Sequence, residues 1–309
     1  MPQNQVKRVW NQTVVIFCKS YAGDLRRVIR LVESIQRYNR DHLPLFISVP
    51  ANDLPLFKNQ LGLDHINWLS DEEIISHQPH GDKGRYASWS GSLSQQVIKS
   101  EFWRLNQSEN YLCLDSDAEF IKDFHLTDFV NPETGAPYTI LCQSKDFLQL
   151  AESRGIGKVL TNYARESAEG KRLFGRQGPD YNFSTTPVIW SAKVWRDLAS
   201  HYLEPKAMDF WDAIAQFPNE MRWYGEALLA YKSIPLQPIE PLFRVYLYDW
   251  QYASLKRTGE TPEKLKSLFL GMVKQSNWEF ELDYGDQAKR KSALSRGARR
   301  VRRFMSRYR

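Results

Sequence analysis

Tyr111-Leu112-Cys113-Leu114-Asp115-Ser116-Asp117 runs four apolar or aromatic residues straight into two carboxylates separated by one residue. A short continuous apolar run of this kind reads as a strand buried on both faces, as inside α/β proteins. Side chains alternate along an extended chain, so Asp115 and Asp117 leave the strand end on the same side, roughly 7 Å apart. In open α/β sheets, ligands gather at the carboxyl ends of the strands. Two hard anionic ligands placed there suit a divalent cation that also takes oxygens from a phosphate. A nucleotide-diphosphate-sugar site has that requirement, because the cation neutralises the diphosphate as it leaves. The pair alone is equally compatible with two solvated acids at a strand end. An EF-hand loop starting at Asp115 is excluded, since Phe120 stands where Gly is needed and Leu126 where Glu is needed. An aspartyl-phosphatase pair would follow the first strand rather than the fourth. A nucleotidylyltransferase would carry a Gly-rich basic loop in place of Lys19-Ser20-Tyr21-Ala22-Gly23-Asp24.

Upstream, Thr13 to Cys18 is a β-branched first strand, and Leu25, Val28, Ile29, Val32 and Ile35 line one face of the helix that follows. Leu45 to Val49 is a second strand, Asp53 to Phe57 opens a second helix, and His65 to Leu69 is a third strand. This repeating order predicts a doubly wound, mostly parallel sheet. Strand, short loop and helix start offer backbone N–H groups to a nucleotide, which makes Ser20, Tyr21 and Asp24 candidates for contacting base or ribose. Asp24 is also placed to cap the helix. The polar segment from Ser76 to Ser92 is long enough to act as a flap. The spacing predicts a helix from Leu93 to Asn106, packed through Val97, Ile98, Phe102 and Leu105. Gln95, Gln96 and Lys99 share one turn of it. The lysine is a candidate for the diphosphate and the glutamines for sugar hydroxyls, the alternative being an ordinary polar face.

Ser20-Tyr21-x-x-Asp24, Asp53 with Phe57, Gln95-Gln96-x-x-Lys99 and Leu114-Asp115-Ser116-Asp117, in this order and spacing, resemble a bacterial family known mainly as a domain of unknown function. That family is similar to GT-A nucleotide-sugar glycosyltransferases. The resemblance covers roughly the first 150 residues, with weaker echoes at Pro187 and at Glu220-x-x-x-Tyr224-Gly225. It implies a GT-A-like, Rossmann-related fold, a nucleotide-diphosphate-sugar donor, and Mn²⁺ or Mg²⁺ held at Asp115 and Asp117. A C-terminal metal-ligating histidine found in some GT-A families has no counterpart here, which leaves the third protein ligand open.

Past Asp117, Tyr138 to Cys142 reads as a strand resuming the sheet, Asp146 to Arg176 as a charged helical excursion, and Phe183 to Trp190 as a further strand. The resemblance assigns this half to the acceptor. Six of the ten tryptophans lie between Trp190 and Trp278, and Trp190, Trp211 and Trp223 are candidates to stack on an acceptor sugar, core packing being the alternative. An inverting transfer needs a base to take the acceptor proton. Glu220 and Glu226 are the candidates, against the alternative of a helix-start acid facing the dipole.

The expected organisation is one GT-A-like domain over 1–286, with a donor half to about 145 and an acceptor half from about 146, followed by a basic tail at 287–309. Ten of the 42 Lys and Arg lie from Lys289 to Arg309 without an acid among them, leaving 32 basic against 36 acidic residues elsewhere. Nucleic-acid binding spread over the fold is thereby disfavoured. Leu294, Ala298, Val301, Met305 and Tyr308 recur at helical spacing, so the tail reads as an amphipathic helix suited to an anionic membrane surface. Cys18, Cys113 and Cys142 sit in apolar runs without metal-ligand spacing and read as buried free thiols of a reducing compartment. No stretch approaches the ~20 apolar residues of a membrane span. These features fit a cytosolic protein with at most peripheral contact to the inner face of the plasma membrane. The activity expected is metal-dependent sugar transfer to a hydroxyl of a glycan or lipid-linked acceptor, in surface polysaccharide or lipopolysaccharide synthesis. The competing expectation is a catalytically silent nucleotide- or carbohydrate-binding scaffold of the same fold.

Overall fold

Every residue of Val14–Lys19 (β1) is buried. A strand with two buried faces needs helices on both sides, and the chain supplies them in turn. A 3₁₀ turn at Ala22–Asp24 leads into α1 (Leu25–Tyr38), followed by β2 (Leu45–Val49), α2 (Leu54–Leu61) and β3 (Ile66–Ser70). Next come α3 (Asp71–Ser76), α4 (Lys83–Ser88), α5 (Gly91–Glu101), β4 (Asn110–Asp115) and β5 (Ala118–Phe120). The remainder comprises β6 (Thr139–Ile140), α6 (Lys145–Ser153), α7 (Gly157–Phe174), β7 (Val188–Ser191), α8 (Ala192–Leu198), α9 (Phe210–Gln216) and α10 (Glu220–Tyr231). It closes with β8 (Pro238–Ile239), β9 (Phe243–Tyr246), α11 (Asp249–Arg257), α12 (Pro262–Leu268) and β10 (Gly271–Lys274). This computed structural model describes residues 14–62, 64–79, 83–183 and 186–279. The expected tail at 287–309, Thr13 and Thr185 lie outside the described residues.

The central sheet runs β3-β2-β1-β4-β7, with the first four strands parallel and β7 antiparallel to β4. It is the mixed α/β, mostly parallel sheet flanked by helices that the strand–helix alternation predicts. Alternation along β1 divides the core in two. Val15 and Phe17 enter a cluster with Phe102, Tyr111 and Trp190, while Val14, Ile16 and Cys18 enter another with Val28, Leu31 and Phe57. Register pairs Lys19 with Asp115, so β1 and β4 end at the same level. A smaller sheet, β5-β10-β9, stands directly after Asp117, with β5 antiparallel and β9 parallel to β10. It returns the chain after β10 to the end of β4.

Several elements differ from expectation. The strand read at Tyr138 to Cys142 contracts to β6 and leaves the central sheet, pairing with β8 instead. The helix read to Asn106 ends at Glu101 and tightens into a 3₁₀ turn over Phe102–Leu105. The polar segment after α3 holds α4, pinned where Tyr86 donates to Asp71 and Arg85 pairs with Asp209 and Asp212. Cys18 and Cys113 are buried free thiols, and Cys142 is half-buried. Among the described residues no helix is long and apolar enough to cross a membrane.

Trp190, Trp211 and Trp223 are core residues, each at most 1% exposed, and none is open to a sugar. Trp190 packs edge-on against Tyr111 and Trp195. Truncating a fully buried tryptophan leaves a cavity that its neighbours only partly fill. Trp190→Ala is therefore expected to cost about 3–5 kcal/mol, read as a lower urea midpoint at unchanged slope.

Candidate functional site

The carboxyl ends of β1 and β4 open into a cleft of about 660 Å³. One wall is the loop after β1, with Ser20, Tyr21 and Asp24; another is the start of α5, with Gln95; the floor is Asp115, Ser116 and Asp117. The loop after β10 closes the cleft with Gln275, Ser276 and Asn277.

Asp115 is held by both oxygens. Lys99 Nζ donates to Oδ1 at 2.5 Å, and Thr186 Oγ1 donates to Oδ2 at 2.7 Å. The same ammonium reaches Glu220 Oε1 at 3.3 Å. Burial opposes charge on both members of the close pair. For Lys99 the carboxylates of Asp115 and Glu220 outweigh burial and hold the ammonium well above its ordinary range. For Asp115 burial is outweighed by Lys99 and the Thr186 hydroxyl, which hold the carboxyl below its ordinary range. Lys99 is 2% exposed and lies beneath Asp115 rather than in the cleft. It is not placed to meet a diphosphate, contrary to the expectation from sequence, and instead fixes the aspartate. Thr186 has no signal in the sequence that would tie it to a residue 71 positions away.

Asp117 is the opposite case. Oδ2 accepts the Ser276 backbone N–H at 2.9 Å, while Oδ1 is buried with no hydrogen-bond partner. Burial, then the charge of Asp115 and to a lesser extent that of Asp24, push its carboxyl up to about 7. Magnesium-type cations are held by one or two carboxylates plus substrate phosphates and water. Asp117 lines a cleft with room for a diphosphate, and its unpartnered buried oxygen fits such an ion. No cluster of three or more His, Cys, Asp or Glu able to hold a metal exists among the described residues, so the donor set is incomplete without substrate or water.

The loop after β1 is set by Asp53, whose Oδ2 accepts the Ala22 N–H at 2.7 Å. Asp24 stands at the start of α1 but its side chain makes no cap bond. It accepts from Arg27 at 3.0 Å and from the Ser116 hydroxyl at 3.2 Å, which joins the loop to the Asp115–Asp117 turn. The Tyr21 ring is 54% exposed and lies over Gly23, where an added Cβ would come within 2.5 Å of Tyr21 Cε2. Sequence reading missed Lys19 and Asp71, which pair at 2.8 Å on the cleft wall and take in the Ser48 and Tyr86 hydroxyls.

Gln95 faces the cleft, whereas Gln96 turns its amide to the Ser92 carbonyl. Glu220 is 3% exposed behind Asp115, with Lys99 as its partner. Glu226 is fully buried, bonded to Arg176 at 2.5 and 3.2 Å and near Arg222 at 3.7 Å. Neither lines the cleft, so the base expected from this helix does not face it. One helical turn separates residues that see the ligand space from residues committed to ion pairs.

Fold and cleft together define an open-sheet α/β protein with an acid-floored ligand cleft where such sheets place their sites. Residues 12–235 match DUF6492, a family of unknown function, and the chain belongs to that family. No curated protein matches the chain. Among solved structures the chain is similar to the crystal structure of mouse xyloside xylosyltransferase 1 in its apo form, at TM-score 0.49 and 8% identity, over 86% of this chain and 99% of that one.

A carboxyl raised in the folded state binds its proton more tightly there than in the unfolded chain. Its contribution to stability is therefore full below the ordinary value of 3.8 and is lost as pH rises through about 7. In chelator, Asp117→Asn is expected to be more stable than wild type at pH 8, by no more than about 4 kcal/mol. The gap should close toward pH 4, as thermal melts across that range would show.

Proposed function

We propose that this chain is a metal-dependent glycosyltransferase that moves a sugar from a nucleotide-diphosphate donor to a hydroxyl acceptor. The observation that supports this most directly is the orphaned Oδ1 of Asp117, buried at the floor of the cleft two residues from a fully clamped Asp115. In this reading Asp117, with Asp115 beside it, holds Mn²⁺ or Mg²⁺ together with the donor's diphosphate. Such an ion, when bound, offsets the negative charge that grows on the leaving diphosphate. Ser20, Tyr21 and Asp24 receive the nucleoside, with the exposed Tyr21 ring offered to the base, and Gln95 faces the donor sugar. Asp115 orients sugar or ribose through whichever lone pairs Lys99 and Thr186 leave open. Lys99 is a positioning residue that keeps Asp115 ionised, and Glu220 holds Lys99 in place. With Glu220 and Glu226 both turned from the cleft, the acceptor proton is not assigned to α10.

A silent scaffold of the same fold would bind donor without turning it over. Slow hydrolysis of a nucleotide-diphosphate sugar in Mn²⁺, lost in chelator, separates the two readings; binding without any turnover favours the scaffold. A thermal-shift panel of nucleotide sugars with and without Mn²⁺ would choose the donor for that assay.

Asp117→Ala is expected to weaken metal-dependent donor binding at least a hundredfold by calorimetry, equivalent to about 2.7 kcal/mol. Undiminished affinity would remove the metal assignment. Removing one partner of a buried ion pair leaves the other uncompensated. Glu226→Gln should therefore destabilise the fold by about 3–5 kcal/mol yet leave donor affinity within about twofold in the molecules that remain folded. A large loss of affinity there would return Glu226 to the site.

A further inference from the structure

We infer a saccharide-binding platform beside the donor cleft, formed by Phe147, Tyr248 and Trp250, that takes an uncharged glycan. The three rings are mutually near-parallel. Phe147 and Tyr248 are 6.1 Å apart at 4°, Phe147 and Trp250 5.9 Å at 19°, and Tyr248 and Trp250 5.4 Å at 16°. Core rings of this protein meet mostly edge to face, as Trp190 does with Tyr111 at 86° and with Trp195 at 89°. Among the ring contacts of the described residues no other three rings lie within 20° of one another. All three distances are similar, so the rings form a stepped triangular patch rather than a column. Tyr248 is 38% exposed, and the other two are half-buried.

A stepped patch of parallel rings partly open to water offers ring faces to the apolar C–H face of a pyranose. The rings' electron-rich faces attract those C–H bonds, and the sugar's hydroxyls stay at the edge to be hydrogen-bonded. The polar groups left at the edge are the carboxylates of Asp146 and Glu240, since Gln251 is already bonded to Leu247 and Val245 and Asn182 to Ser144. A cavity of about 360 Å³ adjoins the patch, lined in part by Phe147, Asn182, Leu247 and Gln251. Asp146 and Glu240 stand on its rim, and Arg244 there is already bonded to Asp146 at 3.1 Å and to Glu260 at 2.8 Å. The excess of acid over free cation at the rim disfavours uronates and other anionic glycans.

Register places the platform next to the cleft. Tyr246 and Lys274 are paired neighbours in β9 and β10, so Tyr248 and Ser276 each lie two residues beyond adjacent strand ends. Adjacent strands are about 4.8 Å apart, and Ser276 is the residue that bonds Asp117. The Trp278 indole and the Gln275 N–H both donate to the Tyr246 carbonyl, at 2.9 and 3.2 Å, fastening the two exits together. The platform and the cleft are thus reached from neighbouring strands of the small sheet, and on the transferase reading a glycan held there would be the acceptor. The word acceptor rests on the transferase reading; the saccharide site does not.

The test uses the full chain titrated with maltotetraose, cellotetraose, chitotetraose and tetragalacturonate, followed by saturation-transfer NMR and calorimetry. At least one neutral tetrasaccharide should bind, with the uronate at least tenfold weaker. Tyr248→Ala should lose at least tenfold in that affinity, and Tyr248→Phe, which keeps the ring, should retain it. Phe147→Leu serves as the second variant, and unchanged melting temperatures certify both. Failure of all three neutral sugars to bind, or equal affinity in wild type and in both ring-removed variants, overturns the platform. Wild-type hydrolysis of a nucleotide sugar in Mn²⁺, measured in parallel, keeps the two ideas apart. Platform-dependent saccharide binding without hydrolysis keeps this site and removes the transferase; hydrolysis without saccharide binding does the reverse.

Discussion

The ammonium of Lys99 lies between the carboxylates of Asp115 and Glu220, almost wholly out of water. Three elements meet at that point: β4 brings Asp115, α5 brings Lys99 and α10 brings Glu220. One cation among two buried acids leaves a residual negative charge, and Asp117 adds another two residues away. Burying like charges without compensation is costly. The protein meets part of the cost with the Thr186 hydroxyl on Asp115 and the Ser276 N–H on Asp117. What these leave undone is localised at one atom, Asp117 Oδ1. Fold and cleft are thus two aspects of one electrostatic arrangement, since the ion pair that knits the helices to the sheet also sets the charge of the cleft.

The second sheet matters for the same reason. β5 begins immediately after Asp117 and pairs with β10, so the chain that follows β10 is brought back over the floor of the cleft. The helix that opens the chain is tied in as well, because Arg27 reaches the Glu279 carbonyl across 252 positions of sequence. The cleft is therefore closed by a segment that no local pattern would connect to it, and its rigidity depends on pairing made late in the chain.

What could be read from sequence follows from range. β1 and β4 were legible because strands buried on both faces have no polar residues to interrupt the apolar run. Ser20, Tyr21, Asp24, Asp115 and Asp117 were legible because strand ends in such sheets define the ligand space, and the structure does gather them there. Lys99 was found at the right turn and given the wrong direction. Periodicity says that it shares a helix with Gln95 but not which of the two points down onto a carboxylate. Thr186 and Ser276 were invisible because their partners lie 71 and 159 positions away. The tryptophans misled for a different reason. Composition counts aromatic rings, whereas burial is decided by tertiary packing, which leaves Tyr21 and Tyr248 exposed and Phe147 and Trp250 half-buried.

The charges of the cleft can be followed acid by acid. Asp71 has Lys19, Asp24 has Arg27 with the Ser116 hydroxyl, Asp53 has the Ala22 N–H, and Asp115 has Lys99 with Thr186. Each of these has a partner supplied by the fold itself and keeps only its remaining lone pairs for a ligand. Asp117 has one backbone N–H for two oxygens. A proton can meet that need near neutral pH, but it would remove the charge that a phosphate-bound cation requires. A divalent ion meets it while keeping excess positive charge, and that excess is what a diphosphate can use. On the reading proposed above, compensation would pass from the carboxylate to the cation and from the cation to the diphosphate, because each step supplies the charge that the next one needs.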